Sequence, residues 1–160
     1  MRYPVMSTAT ATFAAVTIAE RAKLSRTLEG ARYILFFDGH CGLCNKSVDF
    51  VSTRDLKGVF QFAPLQGETA QHLLMPEDLR DLRSLVLLAD GKVFRHSSAV
   101  VKILWCLGNG WKAIAALLWL IPRPFRDLGY RLVARNRYRI FGHHEACRRP
   151  TMEERSKFLP

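Results

Sequence analysis

The sequence predicts an α/β protein, a small mixed sheet with helices on its faces, in the order β-α-β-α-β-β-α with further helices behind. Three observations carry this. Two apolar runs, residues 33–37 (YILFF) and 59–63 (VFQFA), flank a stretch whose apolar residues recur at helical spacing. Such a strand-helix-strand unit joins parallel strands through a crossover. Asp90-Gly91 separates two more strand-like runs, a strong two-residue signal for an antiparallel hairpin. The last third alternates apolar or arginine-rich stretches with proline and glycine breakers, as helices do.

Residues 33–37 are continuously apolar, as expected of a strand covered on both faces, and Asp38-Gly39 ends the run. From Cys41 the period changes: Cys44, Val48 and Val51 fall at i, i+4 and i+7, the inward stripe of a helix ending near Arg54. The strand at 59–63 is stopped by Pro64. A looser helical region follows, in which Pro76, Glu77 and Asp78 suit a first turn. Residues 84–89 and 92–95 are the hairpin strands, and Ser97 or Ser98 can cap the helix running through Val100, Val101, Ile103 and Leu104. Residues 111–120 are nearly all apolar, Pro122 and Pro124 break the run, and residues 127–141 form an arginine-rich helix stopped by Gly142. Thr151 with Glu154 is a capping box for a last short turn. Residues 1–30 read as an N-terminal extension, poorly ordered or loosely helical, and residues 31–160 as one domain.

A chain of 160 residues, 49% of them hydrophobic, has enough apolar surface for one core. The formal net charge of +10 points towards an acidic surface, nucleic acid or anionic lipid as a contact. The four cysteines, Cys41, Cys44, Cys106 and Cys147, are too few and too uneven for the stapled framework of a small secreted domain. No secretory signal is visible, so the cytoplasm is the expected location. The apolar stretch 99–121 is interrupted by Lys102, Lys112 and Gly108-Asn109-Gly110 into pieces too short to span a bilayer.

Cys41 and Cys44 stand where the first strand gives way to the first helix. A thiol attacks a disulfide only as thiolate, and the unpaired N–H groups of a helix N-terminus favour an anion there. The second sulfur, one turn behind, is close enough to close an intramolecular disulfide. Cys44 shares the inward stripe and is expected to be the buried resolving thiol. Cys41 is expected at an exposed tip as the nucleophile. Asp38 either accepts the Cys44 proton or serves as a turn or capping residue. His40 either adds positive charge beside the thiolate or is simply solvated.

A Cys-x-x-Cys pair in this context is the redox motif of the thioredoxin-like class. The run Asp38-Gly39-His40-Cys41-Gly42-Leu43-Cys44-Asn45 resembles the Asp-x-x-Cys-x-x-Cys signature of the DCC family of thiol-disulfide oxidoreductases. Residues 60–66 (FQFAPLQ), Asp90 to Val93 with Ser98 to Val100, and residues 130–138 (YRLVARNRY) with Phe141, Gly142 and Cys147 resemble further stretches of that family. The resemblance implies a thioredoxin-like fold and dithiol-disulfide exchange with a protein or small-molecule partner, without a cofactor. Thioredoxin-like enzymes carry a cis-proline before the third strand, where this chain has Arg83-Ser84.

Other groups compete for a role. His143, His144 and Cys147 could join Cys41 and Cys44 around a structural zinc ion, although the two groups lie far apart in sequence. Cys147 is otherwise a structural cysteine or a third redox thiol, and Cys106 a small core residue. The arginines of residues 123–139 read as a solvated face. No nucleic-acid motif accompanies them, and a basic amphipathic helix suits a peripheral anionic membrane or an acidic partner better.

Overall fold

A computed structural model describes residues 32–80, 85–142 and 155–160. The extension expected over residues 1–30, the group His143, His144 and Cys147, and the capping box at Thr151 lie outside the described residues. Strand β1 (Tyr33–Phe37) is central. It pairs in parallel with β2 (Phe60–Pro64), Leu35 opposite Phe62, and antiparallel with β3 (Val86–Ala89), Leu35 opposite Leu87. Strand β4 (Lys92–Arg95) pairs antiparallel with β3, which gives the order β2-β1-β3-β4. This mixed sheet with its helical crossover is consistent with a thioredoxin-like fold.

Helix α1 (Gly42–Arg54) connects β1 to β2, and α2 (Glu68–Leu73) and α3 (Pro76–Arg80) precede β3. After the hairpin come α4 (His96–Leu107), α5 (Trp111–Leu120) and α6 (Arg123–Phe141), and later a single 3-10 turn, Arg155–Lys157. The period of two in β1 divides its side chains between two cores. Leu35 and Phe37 join Val48 and Val51 of α1 and Ile103 and Leu104 of α4, while Ile34 and Phe36 join Ala70 of α2 and Leu74. Both faces of β1 are therefore covered, as its unbroken apolar run required.

The Asp90-Gly91 turn has φ of 50° and 72°, positive at both positions as a two-residue hairpin of this hand requires. Nothing lies within 4 Å of a Cβ added at Gly91, so only the backbone resists substitution there. Gly91→Ala is expected to cost about 1 kcal/mol in the denaturant midpoint. An unchanged midpoint contradicts this account.

Several boundaries differ from expectation. Strand β2 runs from Phe60 to Pro64 rather than over 59–63, so the proline expected to stop it is its last residue, paired with Phe37. Strand β3 starts at Val86 rather than at residue 84. Helix α4 follows β4 with no residue between them, so Arg95 is its N-cap and no side-chain cap forms. Ser97, expected as a cap, is instead buried within the helix, its hydroxyl bonded to Asp127 and accepting from Arg126 Nε at 2.8 Å. Helix α6 starts at Arg123, before the expected residue 127, because Pro124 falls in the first turn, where an N–H is dispensable.

Candidate dithiol site

The site grows from the end of β1. Asp38 is buried, and its Oδ1 accepts from the His40 backbone N–H at 3.0 Å, a local turn that suits aspartate. The Cys41 N–H donates to the Asp38 carbonyl at 3.2 Å and Asn45 Nδ2 to the Gly39 carbonyl at 3.2 Å, which ties the turn to the helix it precedes. Cys41 is the N-cap of α1, extended at φ −94° and ψ 119°, with no side-chain cap bond. Cys44 follows one turn into the helix. The two thiols are free and within hydrogen-bonding reach of each other.

Cys44 is buried as its stripe predicted, at 4% exposure. Cys41, expected at an exposed tip, has 0% exposure. The reason lies outside the local sequence: α6 crosses the front of α1. The Gly42 N–H donates to the Gly142 carbonyl at 3.4 Å, and Arg137 fills the space beside the sulfurs.

Arg137, at 2% exposure, is the largest fully buried side chain among the described residues. Its Nη2 donates to Asp38 Oδ2 at 2.8 Å and to the Tyr138 hydroxyl at 2.6 Å, and its Nη1 lies 3.8 Å from Cys44 Sγ. The Tyr138 hydroxyl donates in turn to Asp38 Oδ2 at 2.5 Å, and Gln66 Nε2 to Oδ1 at 3.1 Å. Asp38 holds the turn position expected of it, and it also anchors a buried ion pair that the sequence did not announce. The expectation of a solvated arginine face fails at Arg137 and holds at Arg131, Arg135 and Arg139, which are exposed.

The electrostatics follow from burial. Desolvation, then the neighbouring Cys41 sulfur, pushes the Cys44 thiol up to about 12, against the opposing pull of Arg137. Burial works against the charged form of Arg137, but Tyr138 and the two sulfurs hold its pKa above the ordinary value. Burial and the Asp38 bond raise the Tyr138 phenol. A cavity of about 280 Å³ opens beside Cys44, lined by Leu43, Ser47, Leu85, Tyr130 and Arg137 among others. At the start of β3, the Leu85 N–H donates to the Tyr130 hydroxyl at 2.9 Å, so α6 occupies that backbone donor too.

Sequence reasoning overlooked Gln66, Tyr130, Arg137 and Tyr138. A signal was present: Tyr130, Ala134, Arg137 and Phe141 are spaced i, i+4, i+7 and i+11, a single helix face, and that face points inward. Among the described residues no cluster of three or more His, Cys, Asp or Glu forms a metal site.

The family model described as DCC1-like thiol-disulfide oxidoreductase matches residues 35–143, a span that includes Asp38, Cys41, Cys44, Arg137 and Tyr138. Similar curated proteins include the uncharacterized protein YuxK of Bacillus subtilis (strain 168), 39% identical over 131 residues, which cover 79% of this chain and 93% of that protein. A chloroplastic DCC family protein of Arabidopsis thaliana, At1g52590, is 36% identical over 121 residues, 74% of this chain and 70% of the relative. No solved structure matches the chain significantly.

Proposed function

Since the chain belongs to the DCC1-like thiol-disulfide oxidoreductase family, we propose that it exchanges the Cys41/Cys44 dithiol with a disulfide in a protein or low-molecular-weight partner. The observation that carries this reading is the pair of adjacent buried thiols at the start of α1, with a guanidinium beside them. Burial makes Cys44 hold its proton, which leaves Cys41, at the N-cap of the helix, as the attacking sulfur of the pair. Cys41 attacks one sulfur of the target disulfide, a mixed disulfide forms, and the other target sulfur leaves as thiolate. Cys44 then attacks the Cys41 sulfur, giving its proton to Asp38, and the second target sulfur is released. Two electrons pass from the chain to the target, and a cellular dithiol restores the pair. Arg137 stabilises sulfur charge through both steps, and Asp38 with Tyr138 holds it in place. A cytoplasmic setting, rich in small thiols, completes the reading.

Cys44→Ser, incubated with a disulfide such as oxidised glutathione, is expected to retain a stable adduct on Cys41, and Cys41→Ser to form none. Thiol titration of the wild type is expected to lose and regain two thiols reversibly, in protein purified without chelator. No adduct on Cys41, or one zinc per chain whose removal unfolds the protein, sinks the redox reading in favour of a structural metal site.

A further inference from the structure

Helices α5 and α6 present the wrong side to water. Among the residues of α5 only Ala115 is buried, although every residue of the helix except Lys112 is apolar. Trp119 and Leu120 at its end are 71% and 76% exposed. In α6 the inward face holds Arg126, Tyr130, Ala134 and Arg137, while Phe125, Leu128 and Leu132, spaced i, i+3 and i+7, all point outward. An ordinary surface helix of a globular protein buries its apolar stripe and exposes its cations. Here the apolar stripe and the exposed cations Arg131, Arg135 and Arg139 share the solvent side.

Both helices rest on α4, and between α4 and the turn joining them runs an open groove of about 710 Å³. Trp105, Trp119, Ile121 and Pro122 line it, with Lys102 and Arg123 at its polar positions. A contiguous apolar surface of this kind marks an interaction site. Its charge selects the occupant. Across residues 111–141 the sequence has seven Lys and Arg against one acid, Asp127, whose carboxylate is engaged by Ser97. A second copy of the chain would bring cations against cations, which disfavours self-association through this face. Leucines flanked by arginines, with tryptophans at the margin, match an interface between acyl chains and anionic headgroups. No helix among the described residues is long and apolar enough to cross a membrane, so the contact would lie in the plane of the surface.

We infer that the α5–α6 face docks the protein onto an anionic lipid bilayer. The apolar residues around Trp119, Leu120, Phe125, Leu128 and Leu132 enter the acyl boundary, and Arg123, Arg131, Arg135 and Arg139 meet the headgroup phosphates. The thiol pair lies on the opposite side of α6 from this stripe, so docking leaves the redox chemistry a separate question.

The test uses the full chain and vesicles of phosphatidylcholine with and without phosphatidylglycerol, read by co-sedimentation. Binding to the anionic vesicles and its loss at high salt are the expected results. Leu120→Glu and Leu128→Glu, both at exposed positions, are each expected to weaken binding by about tenfold or more. Arg131→Gln and Arg135→Gln should each weaken it by about fivefold. In the wild type, brominated acyl chains are expected to quench tryptophan emission, and Trp119→Phe to remove most of that quenching. Equal affinity for neutral vesicles overturns the inference. So does binding that survives both glutamate substitutions, or a chain that self-associates through this face and ignores lipid.

Discussion

Arg137→Met is expected to destabilise the fold by about 3–5 kcal/mol, because it leaves the Asp38 carboxylate buried without its cation. That is a large share of the roughly 5–15 kcal/mol typical of a domain. Tyr138 and Gln66 would still donate to the carboxylate, yet neither supplies charge. The measurement is the denaturant midpoint of four proteins: wild type, Arg137→Met, Asp38→Asn and the double variant. Coupling between the two sites should make the double variant more stable than the sum of the single losses implies, by about 1 kcal/mol or more. Strictly additive losses, or a single loss below about 1 kcal/mol, would refute the buried pair as an organiser of the site. The same substitution strips the guanidinium from beside Cys44, so thiol exchange is expected to fall even at temperatures where the variant is folded.

The second large effect is alkaline. The folded chain holds the Cys44 proton up to about pH 12, whereas an ordinary thiol with a pKa of 9.0 releases it earlier. Between those values folding takes up a proton, so stability falls as pH rises. The contribution is fully present below about pH 9 and is lost by about pH 12, on the order of 4 kcal/mol in all. Tyr138, also raised, acts in the same direction at higher pH. Urea midpoints at neutral and alkaline pH should converge for wild type and Cys44→Ala as the pH climbs, because the variant lacks the titrating thiol. Parallel pH profiles for the two proteins would contradict the burial of that thiol.

Much of the frame was legible in local pattern. The unbroken run Tyr33–Phe37 announced a strand covered on both sides, and the spacing of Cys44, Val48 and Val51 announced the buried stripe of α1. Asp90-Gly91 fixed its hairpin through backbone preference alone. The placement of both cysteines at the start of α1 followed from the change of period. What escaped local pattern arises between distant segments. Arg137 looks like its exposed neighbours in composition, and only a buried carboxylate 99 positions earlier draws it inward. Cys41 sits at the mouth of its own turn, and its cover is supplied by a helix from the other end of the chain. Ser97 misled because the hydroxyl that resembles a cap instead finds Asp127 across the helix packing.

The cover over Cys41 has a kinetic meaning. A sulfur with no surface open to solvent is expected to react only when its cover opens, so the modification rate with a reagent such as Ellman's disulfide should climb with reagent concentration and then level off. The plateau is the opening rate itself, and the same motion should limit hydrogen exchange at the Gly42 amide. Turnover of the pair would then be timed by the opening of that cover rather than by the intrinsic reactivity of sulfur.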